Sequence, residues 1–365
     1  MFKVEALPAG PGDALVVEYG TAGTKHRLLV DAGPKHWWPD VRSRLARRRS
    51  DVYEVFVVTH IDEDHIGGAL EMLDDRDLRT RIRSVWFNGY IHCDKGGNVL
   101  GPVHGEQFTL KLNDGGYGWN RGWPNPVAPT LGGPVVVPSR GPLPTLDLPG
   151  GARVVLLGPS GPQLKRLARE WTKVVVKAGL VPGEGAAGEG AAVRQRPKER
   201  DPLPPVLDAA ALTTLAAREQ DDSSEANASS ISFVLEYDGR RLLLTGDATS
   251  ATLAQNIARY GAMVGEQRPR FDLVKLPHHG SGANVKDDLV ASWTASRFLI
   301  SSDGAGYRHP DDSAIARLLL AASGPVTFYA NYPDGGPRQW ADRAGEVNAT
   351  FKLAKSATSG IAVTV

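Results

Sequence analysis

Ionisable side chains crowd the end of one apolar, strand-like run in this sequence. The stretch VFVVTHIDEDHIGG covers residues 55–68, and its apolar start leads directly into His60, Asp62, Glu63, Asp64 and His65. Unpaired charges at the edge of a sheet are costly when they are partly desolvated. A divalent cation removes that cost, because imidazole and carboxylate groups are its usual ligands. The pattern therefore predicts a metal site at the end of a buried strand.

The spacing within this stretch suits more than one ion. His60 and Asp62 are two residues apart, so on an extended backbone they point the same way and can chelate one ion. Asp64 and His65 are adjacent and suit a second ion where the chain turns into a helix, a turn that the two following glycines ease. The plainer alternative is an acidic first helical turn favoured by the helix dipole. We favour the metal site, because further motifs accompany this one.

The order of elements around this stretch recurs later in the chain. In each half a strand, a Gly-containing turn, a strand ending in Asp, a helical segment and a strand ending in His follow one another. Asp31 precedes His60 by 29 residues, and Asp247 precedes His278 by 31. A duplicated β-β-α-β unit would bring the polar ends of both halves to one edge of two facing sheets.

Composition and length bound the class of protein. The chain has 365 residues, of which 41% are hydrophobic and 23% charged, as in soluble globular proteins. A net charge of +1 argues against coating of the whole surface by a polyanion. The single cysteine, Cys93, excludes an internal disulfide and a multi-cysteine metal site. We find no signal peptide and no run near the roughly 18 apolar residues that span a membrane, so we expect a cytoplasmic protein without membrane contact.

One domain over residues 1–365 is the predicted organisation, since the elements after the middle of the chain resemble those before it. Residues 181–230 are low in large apolar side chains, which predicts a flexible insertion. Residues 96–140 are rich in Gly, Pro and Asn and predict long loops near a cleft. Ser160 and Asp208 are predicted to begin helices.

Five motifs in order give the sequence a family resemblance. THIDEDHIGG resembles the His-x-His-x-Asp-His signature of the metallo-β-lactamase superfamily, with Asp in place of the second His, and LLVDAG and LLLTGDA resemble its first-motif Asp and bridging Asp. NASSISFVLEYDGRRLLLTGDA, DLVKLPHHGS and YRHPD are most similar to the hydrolase domain of ComEC-type DNA-uptake proteins. The resemblance covers most of residues 1–335. It implies an α/β (α+β) fold, a four-layer αββα sandwich with two mixed sheets face to face and the metal site at one sheet edge.

The resemblance also implies a ligand set for two divalent cations, zinc or manganese. His60 and Asp62 would hold the first cation, and Asp64 and His65 the second. Asp247 would bridge the two. His279 would complete the shell, since one residue of the pair His278-His279 is expected to be a ligand and the other could cap a turn.

Two departures from the family pattern concern the first cation. Asp62 in place of His makes this site richer in oxygen, which moves its preference from zinc toward manganese. The family's usual third His has no clear counterpart, because the only candidates, His92 and His104, lack the family's sequence context. Asp31 would orient His60 or another ligand from behind.

The activity that the resemblance implies is hydrolysis by a metal-activated hydroxide, with Asp64 and Asp247 at the centre and a phosphodiester, most simply DNA, as substrate. His278 and His309 are candidates for gripping substrate oxygens or protonating the leaving group. Asn227 and Ser229 are candidates for substrate binding, and both could equally be loop residues before a strand.

Two alternatives remain beside the nuclease. One is a hydrolase of a small ester, lactone or phosphorylated metabolite, because one fold serves many substrates. The other is a non-catalytic module that binds a partner through residues 181–230. A basic run at residues 42–49 could contact phosphates, but a solvated helix face is its commoner meaning. The sequence does not determine the oligomeric state.

Overall fold

Two mixed β-sheets face each other, with helices on their outer sides, in a computed structural model of the chain. The structure describes residues 1–48, 50–93, 103–177, 200–218 and 221–365. This arrangement confirms the predicted four-layer αββα sandwich.

The strands of the described residues fall into two sheets. In chain order they are β1 (Phe2–Ala6), β2 (Leu15–Gly20), β3 (Lys25–Val30), β4 (Val55–Val57), β5 (Ser84–Trp86), β6 (Gly118–Trp119), β7 (Thr145–Asp147), β8 (Arg153–Gly158), β9 (Ser232–Tyr237), β10 (Arg240–Leu244), β11 (Leu273–Lys275), β12 (Arg297–Ile300), β13 (Val326–Ala330), β14 (Ala349–Leu353) and β15 (Ile361–Thr364). The first sheet has the order β15-β1-β2-β3-β4-β5-β6, and the second has the order β14-β13-β12-β11-β10-β9-β8-β7.

The helices follow the strands in alternation over much of the chain. They are α1 (Trp38–Ala46), α2 (Glu63–Asp74), α3 (Tyr90–Cys93), α4 (Val103–Gly115), α5 (Gly161–Lys177), α6 (Ala209–Ala216), α7 (Glu225–Ala228), α8 (Ser250–Val264), α9 (Asp287–Ser292), α10 (Asp312–Ala321) and α11 (Gly336–Ala341). Among the described residues, no helix combines the length and the apolar character needed to cross a membrane.

The repeated unit inferred from the sequence has the same topology in both halves. In the first half, β2 and β3 are antiparallel neighbours and β4, which follows α1, is parallel to β3. In the second half, β9 and β10 are antiparallel and β11, which follows α8, is parallel to β10. The carboxyl ends of β3 and β4 therefore lie side by side, and so do those of β10 and β11.

Alternating side chains of the first sheet enter two different cores. Leu28 and Val57 pack with residues of the second sheet such as Phe233. Their neighbours Leu29 and Phe56 point the other way and pack beneath α1, α2 and α4. Because both faces of β4 and of the last three residues of β3 are buried, these stretches (LLV and VFV) are continuously apolar rather than alternating. This double burial fixes where β3 and β4 end in the sandwich. It therefore also fixes the position of the polar residues that follow them.

Two of the predicted segments differ from expectation or extend beyond the described residues. Part of residues 96–140 is helical, so the loop prediction is wrong where α4 lies. This helix buries Phe108 and Leu112 against the first sheet, and its Gly, Thr and Asn content conceals that apolar face in the sequence. The predicted insertion, residues 181–230, lies partly outside the described residues, and its described part contains α6 and α7. A flexible insertion and a single domain over residues 1–365 stay predictions.

Both predicted helix starts are close to the observed ones. Asp208 precedes α6 and its carboxylate accepts the backbone N–H of Ala211 at 2.9 Å. Ser160 precedes α5, and both its N–H and its hydroxyl donate to Gln163 Oε1 at 2.8 Å. The side chain of Gln163 thus satisfies the N–H of Ser160 at the start of α5.

Candidate metal centre

Asp31 and Thr59 organise the first half of the site at the ends of β3 and β4. The Asp31 carboxylate accepts the Thr59 backbone N–H through Oδ1 and the Thr59 hydroxyl through Oδ2, each at 2.7 Å. The same Oδ2 lies 2.8 Å from Nδ1 of His65. All three residues are buried. Asp31 therefore contacts His65 directly and reaches His60 only through the Thr59 hydroxyl, and its role behind a metal ligand stays a prediction.

The first turn of helix α2 contains some of the acidic and imidazole groups of the sequence motif at residues 60–65. Asp62 precedes its first turn with extended backbone angles, and the Asp62 carbonyl accepts the N–H of His65 at 3.0 Å. Gly67 and Gly68 serve a purpose other than the predicted turn, because both lie within the helix. A Cβ on Gly68 would lie 2.1 Å from the carbonyl oxygen of Ala32. These glycines let α2 pack closely against the loop that follows β3.

The second half of the site follows β10 and β11. Asp247 comes after Gly246, which has φ +51, and its backbone N–H donates to the Ser230 hydroxyl at 3.1 Å. His278 and His279 have φ values of 47° and 55°, the left-handed conformation that non-glycine residues rarely adopt. This backbone sends the two imidazoles in different directions, and only His279 is fully enclosed.

Three imidazole rings present the same nitrogen to the centre. Nδ1 of His60 lies 3.0 Å from the Thr59 hydroxyl, Nδ1 of His65 lies 2.8 Å from Asp31, and Nδ1 of His279 lies 2.8 Å from the Ser301 carbonyl. A carbonyl can only accept, so His279 carries a proton on Nδ1, and Nε2 is the nitrogen left to face the centre. Nε2 of all three rings is buried and has no hydrogen-bond partner within the described residues.

Two carboxylates face these nitrogens. Asp247 Oδ2 lies 3.3 Å from Nε2 of His65 and 3.6 Å from Nε2 of His279. Asp64 Oδ2 lies 3.2 Å from Nε2 of His279 and 3.9 Å from that of His65. Ligand atoms lie within 4.8 Å of one another in the group His60, His65 and Asp247 and in the group Asp64, His65 and His279. Buried imidazole nitrogens without hydrogen-bond partners, opposed to carboxylates, are the groups that bind a divalent cation once it displaces their protons.

The pKa shifts within the cluster also favour a bound cation. Burial alone would lower the pKa of His65, but the carboxylates of Asp247, Asp31 and Asp64 raise it well above its usual range. Burial alone would also lower the pKa of His279, but the carboxylates of Asp247 and Asp13 raise it to about 9. Burial alone would raise the pKa of Asp64, but the imidazoles of His65 and His279 lower it to about 2. The acids are therefore ionised, and the negative field they create suits a cation.

A buried ion pair that the sequence did not predict lies next to two residues of the centre. The ammonium group of Lys275, at the end of β11, pairs with Asp13, and the two side chains are 1% and 2% exposed. Lys275 Nζ also lies 3.9 Å from Asp247 Oδ1, and Asp13 Oδ1 lies 3.3 Å from Nδ1 of His279. A lysine within the apolar run LVKLP is a usable sequence signal, because a buried ammonium needs a partner.

The remaining predicted site residues lie around this cluster. Asp62 Oδ2 is 3.7 Å from Nε2 of His60, and its side chain is 42% exposed. His278 lies at the rim, where Nε2 is 3.8 Å from Asp247 Oδ2 and Nδ1 is 3.0 Å from Asn284 Oδ1. The His309 ring is centred 5.1 Å from that of His278.

The polar segment before β9 contacts the site through different residues than expected. Asn227 Nδ2 lies 3.4 Å from Nδ1 of His278 and donates to Asp222 at 2.9 Å. The Ser229 hydroxyl donates within its own turn, to the Ala226 carbonyl at 2.6 Å, whereas its neighbour Ser230 contacts Asp247. A substrate contact for Asn227 and Ser229 stays a prediction.

His92 and His104, the candidates for a third histidine, belong to none of the metal-ligand groups found among the described residues. The His92 ring packs edge-on against Trp119, with centroids 4.8 Å apart. The groups near His60 are therefore His65, Asp247 and the partly exposed Asp62.

A comparison with protein families finds a match in the part of the chain that contains the first half of this site. Residues 7–156 match the family described as the Metallo-beta-lactamase superfamily. This match covers less than half of the chain. The matched residues contain Asp31 and the run from His60 to His65, and they end before the half of the chain that supplies Asp247 and His279. No curated protein matches the chain.

Two solved structures are similar to the chain at low identity. A mutant of CmlA beta-hydroxylase is 11% identical with a TM-score of 0.41, covering 100% of this chain and 54% of its own. This chain therefore spans about half the length of that protein. A protein assigned as a metal-dependent hydrolase, from Parabacteroides distasonis, is 8% identical with a TM-score of 0.35, covering 98% of this chain and 100% of its own. Similarity at this level supports no functional argument.

Proposed function

We propose that this protein is a metal-dependent hydrolase and that its substrate is a phosphodiester, most simply DNA. One observation carries the proposal of a hydrolase. Two halves of the chain bring three buried imidazole nitrogens and the carboxylates of Asp64 and Asp247 together, and those nitrogens have no hydrogen-bond partner within the described residues. The match of residues 7–156 to the metallo-β-lactamase superfamily supports the same activity.

The donor set divides into two positions. Asp64, His65 and His279 would hold one cation, and His60 with Asp62 would hold the other, with Asp247 between them. In the first group His65 and His279 are buried and Asp64 is 28% exposed, while Asp62 in the second is 42% exposed, so we infer a tight position and a weaker one. Divalent cations in such sites supply Lewis acidity toward a phosphoryl or carbonyl oxygen and lower the pKa of water. Zinc and manganese both suit a mixture of imidazole and carboxylate.

Residues of the chain itself would bind and orient the substrate. His278 is partly exposed, its Nδ1 is held by Asn284, and its Nε2 lies at the edge of the cluster. It can donate a hydrogen bond to a substrate oxygen or a proton to a leaving group. His309 lies directly behind His278 and is the second candidate for this role. Asn227 and Ser229 stay candidates for substrate binding.

The choice of DNA rests on motif likeness to ComEC-type hydrolase domains, in NASSISFVLEYDGRRLLLTGDA, DLVKLPHHGS and YRHPD. The basic run at residues 42–49 does not add to it. Arg42 pairs with Asp75, and Arg44 and Arg48 pair with Glu5. These arginines are largely committed within the protein, as the solvated-helix interpretation of the run anticipates. A non-catalytic module is disfavoured, because the set of metal ligands is nearly complete.

Metal analysis followed by activity assays tests the proposal. The purified protein is assayed with Mn²⁺ and with Zn²⁺ on plasmid DNA, single-stranded DNA, a simple phosphodiester, and a set of esters and lactones. The D64A variant should lose metal and reduce hydrolysis by about 100-fold or more. The matched control is D74A, on the same helix, whose carboxylate is 61% exposed and pairs with Lys111.

The outcomes separate the parts of the proposal. Full metal content and activity in D64A would exclude the assigned centre. Hydrolysis of esters or lactones without any phosphodiester cleavage would reject the nuclease and leave the small-molecule hydrolase. Tight metal binding without hydrolysis of any of these substrates would favour the partner-binding module.

A further inference from the structure

Arg200 grips the backbone on both sides of His309. Its Nη1 donates to the carbonyl of Arg308 at 2.6 Å, and its Nη2 donates to the carbonyl of Pro310 at 2.7 Å. The same Nη2 donates to Asp312 Oδ1 at 2.6 Å, at the start of α10. One guanidinium group therefore fixes the two peptide groups that flank this histidine.

The surroundings of Arg200 are built for a planar, forked donor. Its side chain is only 15% exposed. A Cβ on Gly336, at the start of α11, would lie 2.2 Å from Arg200 Nη1, so a glycine there makes room for the guanidinium. Two separate carbonyls and a carboxylate match the fixed donor geometry of arginine, which the ammonium group of lysine cannot reproduce.

The loop that carries His309 needs such an outside restraint. Arg308 has φ 65, a left-handed conformation that is unfavourable for a residue with a side chain. Residues held in such conformations depend on contacts with the surrounding structure. The His309 ring is buried and is centred 5.1 Å from that of His278 and 6.5 Å from that of His279. A small shift of the loop would therefore change the rim of the metal centre.

We propose that Arg200 is a positioning residue for His309. Residues 181–230, the segment predicted as an insertion, would then contribute a supporting residue to the active site. The inference rests on the proposed function, in which His309 binds substrate or transfers a proton. Its consequence is that the rate of hydrolysis depends on a residue that lies outside the sequence motifs of the metallo-β-lactamase resemblance.

Arg343 provides a matched control, because it anchors the same segment at another place. Its guanidinium donates to the carbonyls of Pro204 at 2.6 Å and Pro205 at 3.0 Å and pairs with Glu346. Loss of Arg343 thus removes two hydrogen bonds between this segment and the body of the protein, against three for loss of Arg200. No contact of Arg343 with His309 exists among the described residues.

The test combines kinetics with a spectroscopic measurement on R200M, R200K, R343M, H309A and the double variant R200M/H309A. We expect R200M to reduce kcat on the phosphodiester that the wild type cleaves by about 10- to 100-fold, because small misplacements of reacting groups have effects of this size. R200K, which keeps a cationic donor, should recover part of the loss, and R343M should stay within about threefold of the wild type. R200M should have no further effect in the H309A background.

The NMR signals of the His309 ring, identified by their absence in H309A, give a readout that does not require activity. They should shift in R200M and keep their wild-type positions in R343M. The inference is wrong if R200M and R343M lower kcat equally, if their effects add to that of H309A, or if the His309 signals do not move. An inactive wild type would instead contradict the proposed function, and the NMR comparison would still decide the inference.

Discussion

His65 and Asp247 come from opposite halves of the chain, yet Nε2 of the one lies 3.3 Å from Oδ2 of the other. His65 stands in the first turn of α2, and Asp247 follows β10 in the second sheet. The contact exists because both repeated units end their strands at the same edge of the sandwich. The candidate metal centre is thus a product of the whole fold and cannot form in either half alone.

Removal of the carboxylate behind His65 should weaken metal binding. In D31N, an NH2 group that can only donate replaces one of the two acceptor oxygens. Thr59 and His65 then lose the oxygen that both of them contact. Groups that orient metal ligands typically contribute 10- to 100-fold to metal affinity, and we expect a loss of about this size. Competition with a chromophoric chelator measures it. D147N, at a carboxylate that is 73% exposed, is the control and should match the wild type.

Two neighbouring serines should differ in their effect on the metal centre. In S230A the backbone N–H of Asp247 loses its acceptor, which should destabilise the fold by about 1–3 kcal/mol and lower metal affinity about tenfold. In S229A the Ala226 carbonyl keeps the N–H of Ser229 as a donor, so metal affinity should stay within about twofold. Urea unfolding and chelator competition check the pair. Equal effects of the two substitutions would contradict the assignment of Ser230.

The buried pair of Asp13 and Lys275 should contribute strongly to stability. K275M leaves a buried carboxylate without its ammonium partner, and breaking such a pair costs about 3–5 kcal/mol. We expect a free energy of unfolding lower by about this amount in the metal-free protein, measured by urea denaturation. The double variant D13N/K275M should lose less than the sum of the single variants, because the residues interact. A wild-type midpoint for K275M would show that the pair is unimportant.

His92 should make the fold sensitive to mild acid. Burial lowers the pKa of His92 to about 4 from an ordinary value of 6.5. Between these values the unfolded chain binds a proton that the folded chain excludes, so stability falls as the pH drops from 6.5 toward 4 and is unaffected above 6.5. The loss attributable to this residue is about 3 kcal/mol. H92F retains a ring against Trp119 and should lose less stability than the wild type between pH 7 and 4.5 in urea titrations.

Features formed by neighbouring residues could be predicted from the sequence, whereas most contacts between distant residues could not. The strands that precede Asp31, His60, Asp247 and His279 could be predicted because apolar runs of strand length and their repeated order are visible along the chain. The convergence of these residues followed from the parallel pairing of β3 with β4 and of β10 with β11. Asp13, Ser230 and Arg200 escaped prediction, because each acts through a contact with a residue distant in sequence. Helix α4 escaped because its glycines and polar residues mask a buried face.

The ion pair between Asp13 and Lys275 has a consequence for protein engineering. Its two members come from different sheets, one before β2 and the other at the end of β11. A chimera that takes its amino-terminal half from one homologue and its carboxyl-terminal half from another would inherit only one member unless both parents carry the pair. Recombination libraries built on this scaffold should therefore keep these two positions linked.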